Sequence, residues 1–569
     1  MAYLICHPLH PRITQTPDKI TEALRSPVGS FYSLLNNISQ HIQEGEVDLS
    51  NLTTRILALE STLKTLKQEQ ESLQVYLNRC RSAVAPIRCL PFEIMDHIFV
   101  LASECNRFSL DAALHKDPIA FSLAAVCRSW RDVALATPRI WSSLAIRIMQ
   151  GERWLELRSD SLTTVIDLCL ARSRHLPLSV TLDLQNINSI PRTVMERLVS
   201  ESHRWCNLTI SLNSRLGRFA EEKILSTITE LPALAALECS NATDALVRLS
   251  QGLKKAPKLA SLKLVNSEWP HQKIANMSSL TSLELDGDVV PEGTEWVPRC
   301  PNLTHLSLWA LQTTRSYRRV RDIPAGSRSI TSLSVMLWTH VDCVTGELLR
   351  NLELPLLTSL SLTGPSEYPG PCEKALNTLW GCISHSGCTL SSLRLDNVPI
   401  DDKAFITLLK LIPSLTEIII DHHDPTLHRP LITDALFQAM QLPGKQKPTK
   451  ATKKSTRSTV QLESPPDLLL PKLQQLSLKV GCQTFKSKQF VDMVSSRRNL
   501  QAVYVELGAK CLQLVELIVL DEANDGLDAY EALFELKEEG LRVEVKIPED
   551  EEVKEPVQDV DEEDEDDEE

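Results

Sequence analysis

The chain lacks the features that would mark most enzymes and membrane proteins. No run of apolar residues approaches the roughly 20 that a membrane-spanning helix needs. The first residues, MAYLICHPLHP, carry no basic cluster, and prolines interrupt their apolar stretch, so no signal peptide is expected. There is no C-x-x-C pair among fifteen cysteines, which removes the tight knuckles of structural zinc sites and the common redox motif. P-loop, G-x-G-x-x-G, G-x-S-x-G and H-E-x-x-H motifs are all missing. A global basic field is missing too, and with it the usual footprint of nucleic-acid binding.

What remains is a 569-residue chain of ordinary apolar content, 43%, enough for a sizeable core or a long repeat array. The cysteines read as reduced, mostly buried thiols. On that reading the sequons Asn207-Leu-Thr and Asn302-Leu-Thr carry no glycosylation meaning. The formal net charge of −14 sits entirely in the C-terminal segment: Pro548 to Glu569 holds 15 acidic residues and one lysine. That segment, 548–569, is expected to be a solvated, disordered acidic tail, either open to basic partners or folded back on a basic loop. The loop lies in an insertion at 443–466, where Gly444 to Ser458 contains six Lys or Arg and no acid. It reads as disordered, with nuclear import signal and plain linker as open alternatives.

A frame L-x-x-L-x-L, with aliphatic substitutions, recurs along the second half. It falls at Leu259-Leu262-Leu264, Leu280-Leu283-Leu285, Leu303-Leu306-Leu308 and Ile330-Leu333-Val335. It returns at Leu357-Leu360-Leu362, Leu390-Leu393-Leu395, Leu415-Ile418-Ile420 and Leu473-Leu476-Leu478. Starts are 21, 23, 27, 27, 33, 25 and 58 residues apart, the last being two periods or one period with an insertion. Val180-Leu182-Leu184, Leu208-Ile210-Leu212 and Leu234-Leu237 look like degenerate members. Period and frame resemble leucine-rich repeats, in which the L-x-L pair points inward from a short strand. Prolines 257, 301, 355, 413 and 471 open frames by ending the preceding helix. A helical return is expected at Asp402 to Leu411, with Phe405, Leu408 and Leu409 inward. The residues left outward include Lys263, Glu284, His305, Ser307, Arg394, Glu417 and Lys479. Their mixed polarity suits protein recognition, as it would any solvated sheet face. Trp269, Trp296, Trp309 and Trp338 fall just after strands or in loops, as partner anchors or as packing beneath the repeats.

Ahead of the repeats lies a heptad stripe of Leu49, Leu52, Ile56, Leu59, Leu63, Leu66, Gln70, Leu73 and Leu77. Such a stripe wants a partner helix, and Gln70 would fix its register. The alternatives are self-association as a coiled coil through 49–77, or one long helix packed against the rest of its own chain.

Between stripe and repeats, Ile87 to Leu144 holds two helical patterns. IRCLPFEIMDHIFVLAS enters its helix through Leu90-Pro91, with Glu93 in the first turn and Ile94, Ile98 and Leu101 at i, i+4 and i+7. LAAVCRSWRDVALATPRIWSSL repeats the habit with Leu123, Val126, Trp130 and Val133 until Thr137-Pro138 halts it. Leu-Pro-x-Glu-Ile, Ile-Phe, Val-Cys-Arg-x-Trp-Arg and Ala-x-x-Thr-Pro-x-Ile-Trp, in this order, resemble the F-box, in its F-box-like form from mushroom-forming fungi. The connector from Cys105 to Pro118 is longer than in compact F-boxes. The resemblance implies a three-helix module that binds the Skp linker of Skp–cullin–F-box ubiquitin ligases. Leu90, Pro91, Ile94, Ile98, Val126 and Trp130 are the implied Skp-binding residues, with Leu90, Pro91 and Ile94 bearing the contact. Trp130 and Trp141 are expected to pack largely inside the module.

Two further clusters are weighed as metal sites and set aside. Cys372, Cys382, His385 and Cys388 lack paired-knuckle spacing and read as a helix and turn leading into the next frame. Asp421-His422-His423-Asp424 reads as a surface turn after a strand.

The resulting expectation is an α/β chain in which an N-terminal helical segment and a three-helix F-box precede a leucine-rich-repeat solenoid, strands on the concave face and helices on the convex face. Its parts are a poorly defined region 1–46, an amphipathic helix or coiled coil 47–85, the F-box 86–145, the repeats 146–547 and the tail. The implied role is a non-catalytic substrate adaptor, linked through Skp to a cullin, with an unknown target protein, no cofactor, no metal and no membrane or nucleic-acid partner, in cytoplasm or nucleus. The alternative is a scaffold that uses its repeats without ubiquitin transfer.

Overall fold

Alternation decides this architecture, because inward aliphatic residues at every second position can be buried only by a strand. The computed structural model describes residues 24–25, 32–103, 106–109, 118–147, 152–184, 190–212, 220–267, 277–287, 296–309, 325–337, 344–364, 372–423, 430–442, 468–522 and 526–547. The basic insertion, the acidic tail, Trp269, Trp338, Asp424, nearly all of 1–31 and most of the Cys105–Pro118 connector lie outside them. The chain divides into two compact units, Met1–Met95 and Asp96–Glu569.

The first unit is dominated by one helix, α1 (Tyr32–Ala83), of 52 residues. At 1.5 Å per residue it is about 78 Å long. It starts well before residue 47, where the sequence reading places its helical segment, because nothing between Tyr32 and Asp48 breaks a helix: there is no proline and only Gly45. A 3-10 turn, Pro86–Cys89, follows. Ala85 and Leu90, each preceding a proline, are extended (ψ 131° and 135°), as steric conflict with the proline ring requires. Helix α2 (Phe92–Ala102) then begins directly after Pro91, whose carbonyl accepts from the Met95 N–H at 3.1 Å.

Among the described residues of the second unit, fifteen strands form one sheet whose spatial order is the chain order. They are β1 (Asn106–Ser109), β2 (Ser143–Arg147), β3 (Leu178–Leu184), β4 (Trp205–Leu212), β5 (Ala236–Ser240), β6 (Ser261–Val265), β7 (Ser282–Asp286) and β8 (His305–Trp309). They continue with β9 (Ser332–Met336), β10 (Ser359–Thr363), β11 (Ser392–Asp396), β12 (Glu417–His422), β13 (Gln475–Cys482), β14 (Leu514–Glu522) and β15 (Arg542–Lys546). Each pairs in parallel with the next, so every strand is entered from the same end after a crossover. The molecule is thus α/β, with a parallel sheet and helices in the connections. Helices α3 (Ile119–Val126) and α4 (Arg128–Ala136) lie between β1 and β2.

Two buried ladders run across the sheet. One passes Leu144, Val180, Leu208, Leu237, Leu262, Leu283, Leu306, Leu333, Leu360, Leu393, Ile418, Leu476, Val515 and Val543, each in register with the next. The second lies two residues on, with Cys239 occupying one rung between Ile210 and Leu264. All eight frames found in the sequence fall on β6–β13 with their last two aliphatic residues on these ladders, and each leading residue is buried just ahead of its strand. No strand of the sheet intervenes across the 58-residue gap, since β12 pairs directly with β13.

The sheet also reaches beyond the span assigned to repeats. Strand β1 and the first three residues of β2 come from the 86–145 segment, and Leu144 and Ile146 begin the aliphatic part of the ladders. Leu512-Val515-Leu517 on β14 is a complete frame, and Leu541-Val543-Val545 on β15 is one with its first interval shortened. The edge strand β15 carries Arg542, Glu544 and Lys546 on alternate positions. Charge along an open edge discourages pairing with another chain.

The returns obey helix-terminal chemistry. In Asp402–Leu411, Asp401 caps the helix by accepting from the Ala404 N–H at 2.8 Å, while Phe405, Leu408 and Leu409 turn inward. Glu373–Ser386 ends at Gly387 in the left-handed conformation, φ +59°. Asn241, Asn266 and Asn397 close strands with positive φ, and Gly287 does so after β7. A Cβ at Gly287 would lie 1.7 Å from Asn266 Oδ1, so any other residue there must displace that amide and also hold a left-handed backbone.

A buried arginine ties down the ends of the insertion. Arg497, on Ser487–Arg498, donates to the carbonyls of Met440 (2.6 Å), Leu470 (2.8 Å) and Leu469 (2.6 Å). Burial pulls its pKa down to about 10, still well above neutrality. Arg497→Met takes the guanidinium away from three carbonyls, of which Leu470 keeps the Leu473 N–H at 3.3 Å, and should lower unfolding stability by about 2 kcal/mol or more. Leu360→Ala should cost about 2–5 kcal/mol and its outward neighbour Ser361→Ala less than about 0.5. Chemical denaturation of the three variants checks both; equal losses at 360 and 361 would contradict the assigned faces.

Candidate functional site

Two surfaces qualify. The first is apolar and helical. In the first unit Leu90, Pro91, Phe92 and Ile94 are exposed, while Met95 is buried. In the second, Ile98, Leu101 and Val126 are exposed, Val126 at 60%. Along α2 the residues Ile94, Ile98 and Leu101 thus recur at helical spacing with water on them, whereas Phe99 between them is fully buried.

The second unit shows how that sorting arises. Phe99 meets the Trp130 ring at 5.1 Å between centroids. Trp141 is fully buried, meets Phe121 edge-on at 5.1 Å and donates Nε1–H to the Ala134 carbonyl at 2.8 Å. The Arg172 guanidinium lies 4.4 Å over its ring. The Thr137 hydroxyl reaches both the Asp96 carboxylate and the Val133 carbonyl, fixing the start of α2 in this unit to the end of α4. Phe99 and Trp141 thus lie inside with Val133 and Ile140, while Ile98, Leu101 and Val126 are left outside. Of the six implied contact residues, Leu90, Pro91, Ile94, Ile98 and Val126 are exposed, and Trp130 is half-buried against Phe99. Trp141 packs internally, and Trp130 does so in part.

The second surface is the polar face of the sheet. Between the two buried ladders runs an outward column that includes Thr209, Glu238, Lys263, Glu284, Ser307, Ser334, Ser361 and Arg394. All seven residues expected to face outward are exposed or half-buried. Lys263 Nζ sits 3.4 Å from Glu238 and 3.2 Å from Glu284. Partial burial is the largest influence on this lysine and opposes its charge, but the two carboxylates together outweigh it and raise its pKa. Asp286 is raised by burial first and by Glu284 second. Farther along, Lys479 Nζ donates to Asp421 at 3.0 Å, and Asp421 also meets the His423 ring. Three carboxylates thus surround one lysine at the first place, and a single carboxylate joins two basic groups at the second.

Several of these partners were not singled out in the sequence. Glu238 escaped because its frame ends in Cys239 instead of an aliphatic residue. The sequence pattern reads Asp421 and His422 as a surface turn, yet β12 runs to His422, so Asp421 stands in the sheet beside Lys479. Trp296 is buried and no anchor, and Trp309 is the last residue of β8 and half-buried.

The cysteine cluster separates. Cys382 is buried and donates to the Leu352 carbonyl at 3.3 Å, Cys388 donates to Ile383 at 3.8 Å, and His385 is exposed. Burial pushes Cys372 and Cys382 up to about 11, which keeps both thiols protonated at neutral pH. Among the described residues no group of three or more His, Cys, Asp and Glu is placed to hold a metal. No helix among them is long and apolar enough to cross a membrane.

The chain matches no protein-family model and no curated protein.

Buried thiols give a direct check of this packing. Cys169 and Cys239 are pushed up to about 12, chiefly by burial. With a thiol reagent at pH 7, the exposed Cys89, Cys482 and Cys511 should label within minutes. Cys169, Cys239, Cys300, Cys372 and Cys382 should label only after denaturant is added; mass mapping of labelled peptides reads the difference.

Proposed function

We propose that the chain is the substrate-recognition subunit of a Skp–cullin–F-box ubiquitin ligase, its F-box docking a Skp-type linker and its leucine-rich-repeat sheet gripping a target protein. The observation that carries this reading is the sorting in the Ile87–Leu144 segment. Phe99 and Trp141 fill the interior, while Leu90, Pro91, Ile94, Ile98 and Val126, all within the F-box-like motifs, stay exposed and apolar. Exposed aliphatic residues concentrated in one short segment favour a protein interface over a solvated surface. A parallel sheet with strands in chain order and frames of 21 to 33 residues favours leucine-rich repeats.

The mechanism is tethering without chemistry by this chain. Leu90, Pro91, Ile94, Ile98 and Val126 lose water to the linker, and the linker joins a cullin. Residues such as Glu238, Lys263, Glu284, Arg394 and Lys479 bind the target, which raises the effective concentration of its lysines near the ubiquitin-conjugating enzyme.

The test is co-precipitation of the full chain with a Skp-type linker and cullin. Leu90→Ala combined with Pro91→Ala, or Ile98→Asp alone, should weaken linker binding at least tenfold. Both change exposed side chains, so the far-ultraviolet circular dichroism should be unchanged. Undiminished binding in both variants sinks the assignment of these residues. Recovery of linker without cullin reduces the role to a scaffold.

A further inference from the structure

We infer that the chain forms a parallel, in-register dimer through α1, the second copy covering the heptad stripe between Leu49 and Leu77. Leu49, Leu52, Ile56, Leu59, Leu63, Leu66, Leu73 and Leu77 are between 38% and 66% exposed, so the stripe is open to solvent along its length. A helix of 52 residues with one continuous apolar seam is the geometry that left-handed supercoiling buries.

The spacings assign the register. Leu49, Ile56, Leu63, Gln70 and Leu77 take the a positions, and Leu52, Leu59, Leu66 and Leu73 take d. Leucine throughout d is the pattern of two-stranded parallel coils, and Ile56 adds the preferred branching at a. Gln70 then decides direction. In a parallel in-register pair it meets Gln70 of the second copy, and the two amides can satisfy each other. In the antiparallel pairing centred on Leu63 and Leu66 it would face Leu59, leaving a buried amide beside a leucine.

Flanking charge agrees. Arg55 at g and Glu60 of the second copy at e are the facing pair in a parallel dimer, repeated by symmetry. The other facing pairs, Asp48 with Thr53, Thr62 with Lys67 and Glu69 with Gln74, put no like charges together. The antiparallel pairing also avoids like charges, by setting Glu60 against Lys67, so the direction rests on Gln70. Continuing the register one step beyond Leu73 places Cys80, an exposed thiol still within α1, at d. In the parallel pair two Cys80 residues stand opposite each other, within the Cα separation a disulfide spans; in the antiparallel pair they lie at opposite ends.

This inference does not depend on the ligase reading. The experiment uses the full chain at about 10–50 μM. Sedimentation equilibrium should give twice the 63.7 kDa of one chain. Leu59→Lys with Leu66→Lys, both exposed in the single chain, should return it to one copy with unchanged circular dichroism in the sheet region. Diamide should take two electrons and two protons from the paired thiols, giving a covalent dimer that Cys80→Ser abolishes. A wild-type mass of one chain overturns the proposal, as does a dimer that survives the double lysine variant. A dimer lost in that variant but never cross-linked through Cys80 overturns the parallel register.

Discussion

Everything in the second unit depends on one constraint, that two side chains two residues apart on each strand must be aliphatic or similarly apolar and must stay in register with the neighbouring strands. Because the pleat has period two, a slip of one residue would turn Leu262 and Leu264 to water and Lys263 into the core. That penalty is paid at every rung of the ladders, which is why β2 to β15 hold a common register with irregularities only beside Leu178 and Val480. Cys239 shows what the constraint tolerates: a small apolar thiol takes an aliphatic slot, and its burial keeps it protonated.

A strict ladder makes the connections free to vary. Loop closure grows only logarithmically with length, so the sheet can carry a long insertion between β12 and β13 if the strands on either side remain pinned. Arg497 supplies that pinning with one guanidinium on three carbonyls, two of them just after the insertion and one just before it. Its planar fork suits three fixed acceptors in a way that a lysine's single ammonium does not.

The strands were legible because their signal is local. A frame of three aliphatic residues specifies both strand and inward face, and β6–β13 follow it. What escaped did so for physical reasons. The strand β15 hides its frame because Leu541 and Val543 are only two apart. Strand β2 lies inside a segment whose helical motifs dominate the reading. Glu238 and Asp421 gain their meaning from neighbours across the sheet, 25 and 58 residues away in Lys263 and Lys479, and no spacing within one strand announces them. The exposed residues of the helical segment were legible by another route, since Ile94, Ile98 and Leu101 share a helical face that excludes Phe99. The helix before them was shortened in the reading because its first third has no heptad stripe, although nothing in it stops a helix.

The two candidate surfaces differ in kind, and the difference bears on what each can recognise. In the helical segment the exposed apolar groups include Leu90, Phe92 and Ile94 in the first unit and Ile98, Leu101 and Val126 in the second. Any group that covered them would gain by excluding water, with little demand on its own charge. On the sheet face the charges are already neutralised in part: Lys263 is held by Glu238 and Glu284, and Asp421 is shared between Lys479 and His423. A ligand that meets this face must offer groups good enough to compete with bonds already made. A basic side chain laid over Glu238, Glu284 and Asp286 offsets the repulsion from Glu284, which comes second to burial in raising Asp286, whereas an acidic one adds to it. Charge placed this way discriminates between partners more than it strengthens any one of them. Selectivity for charge is therefore built into the sheet face, and the exposed apolar side chains of the helical segment have no counterpart to it.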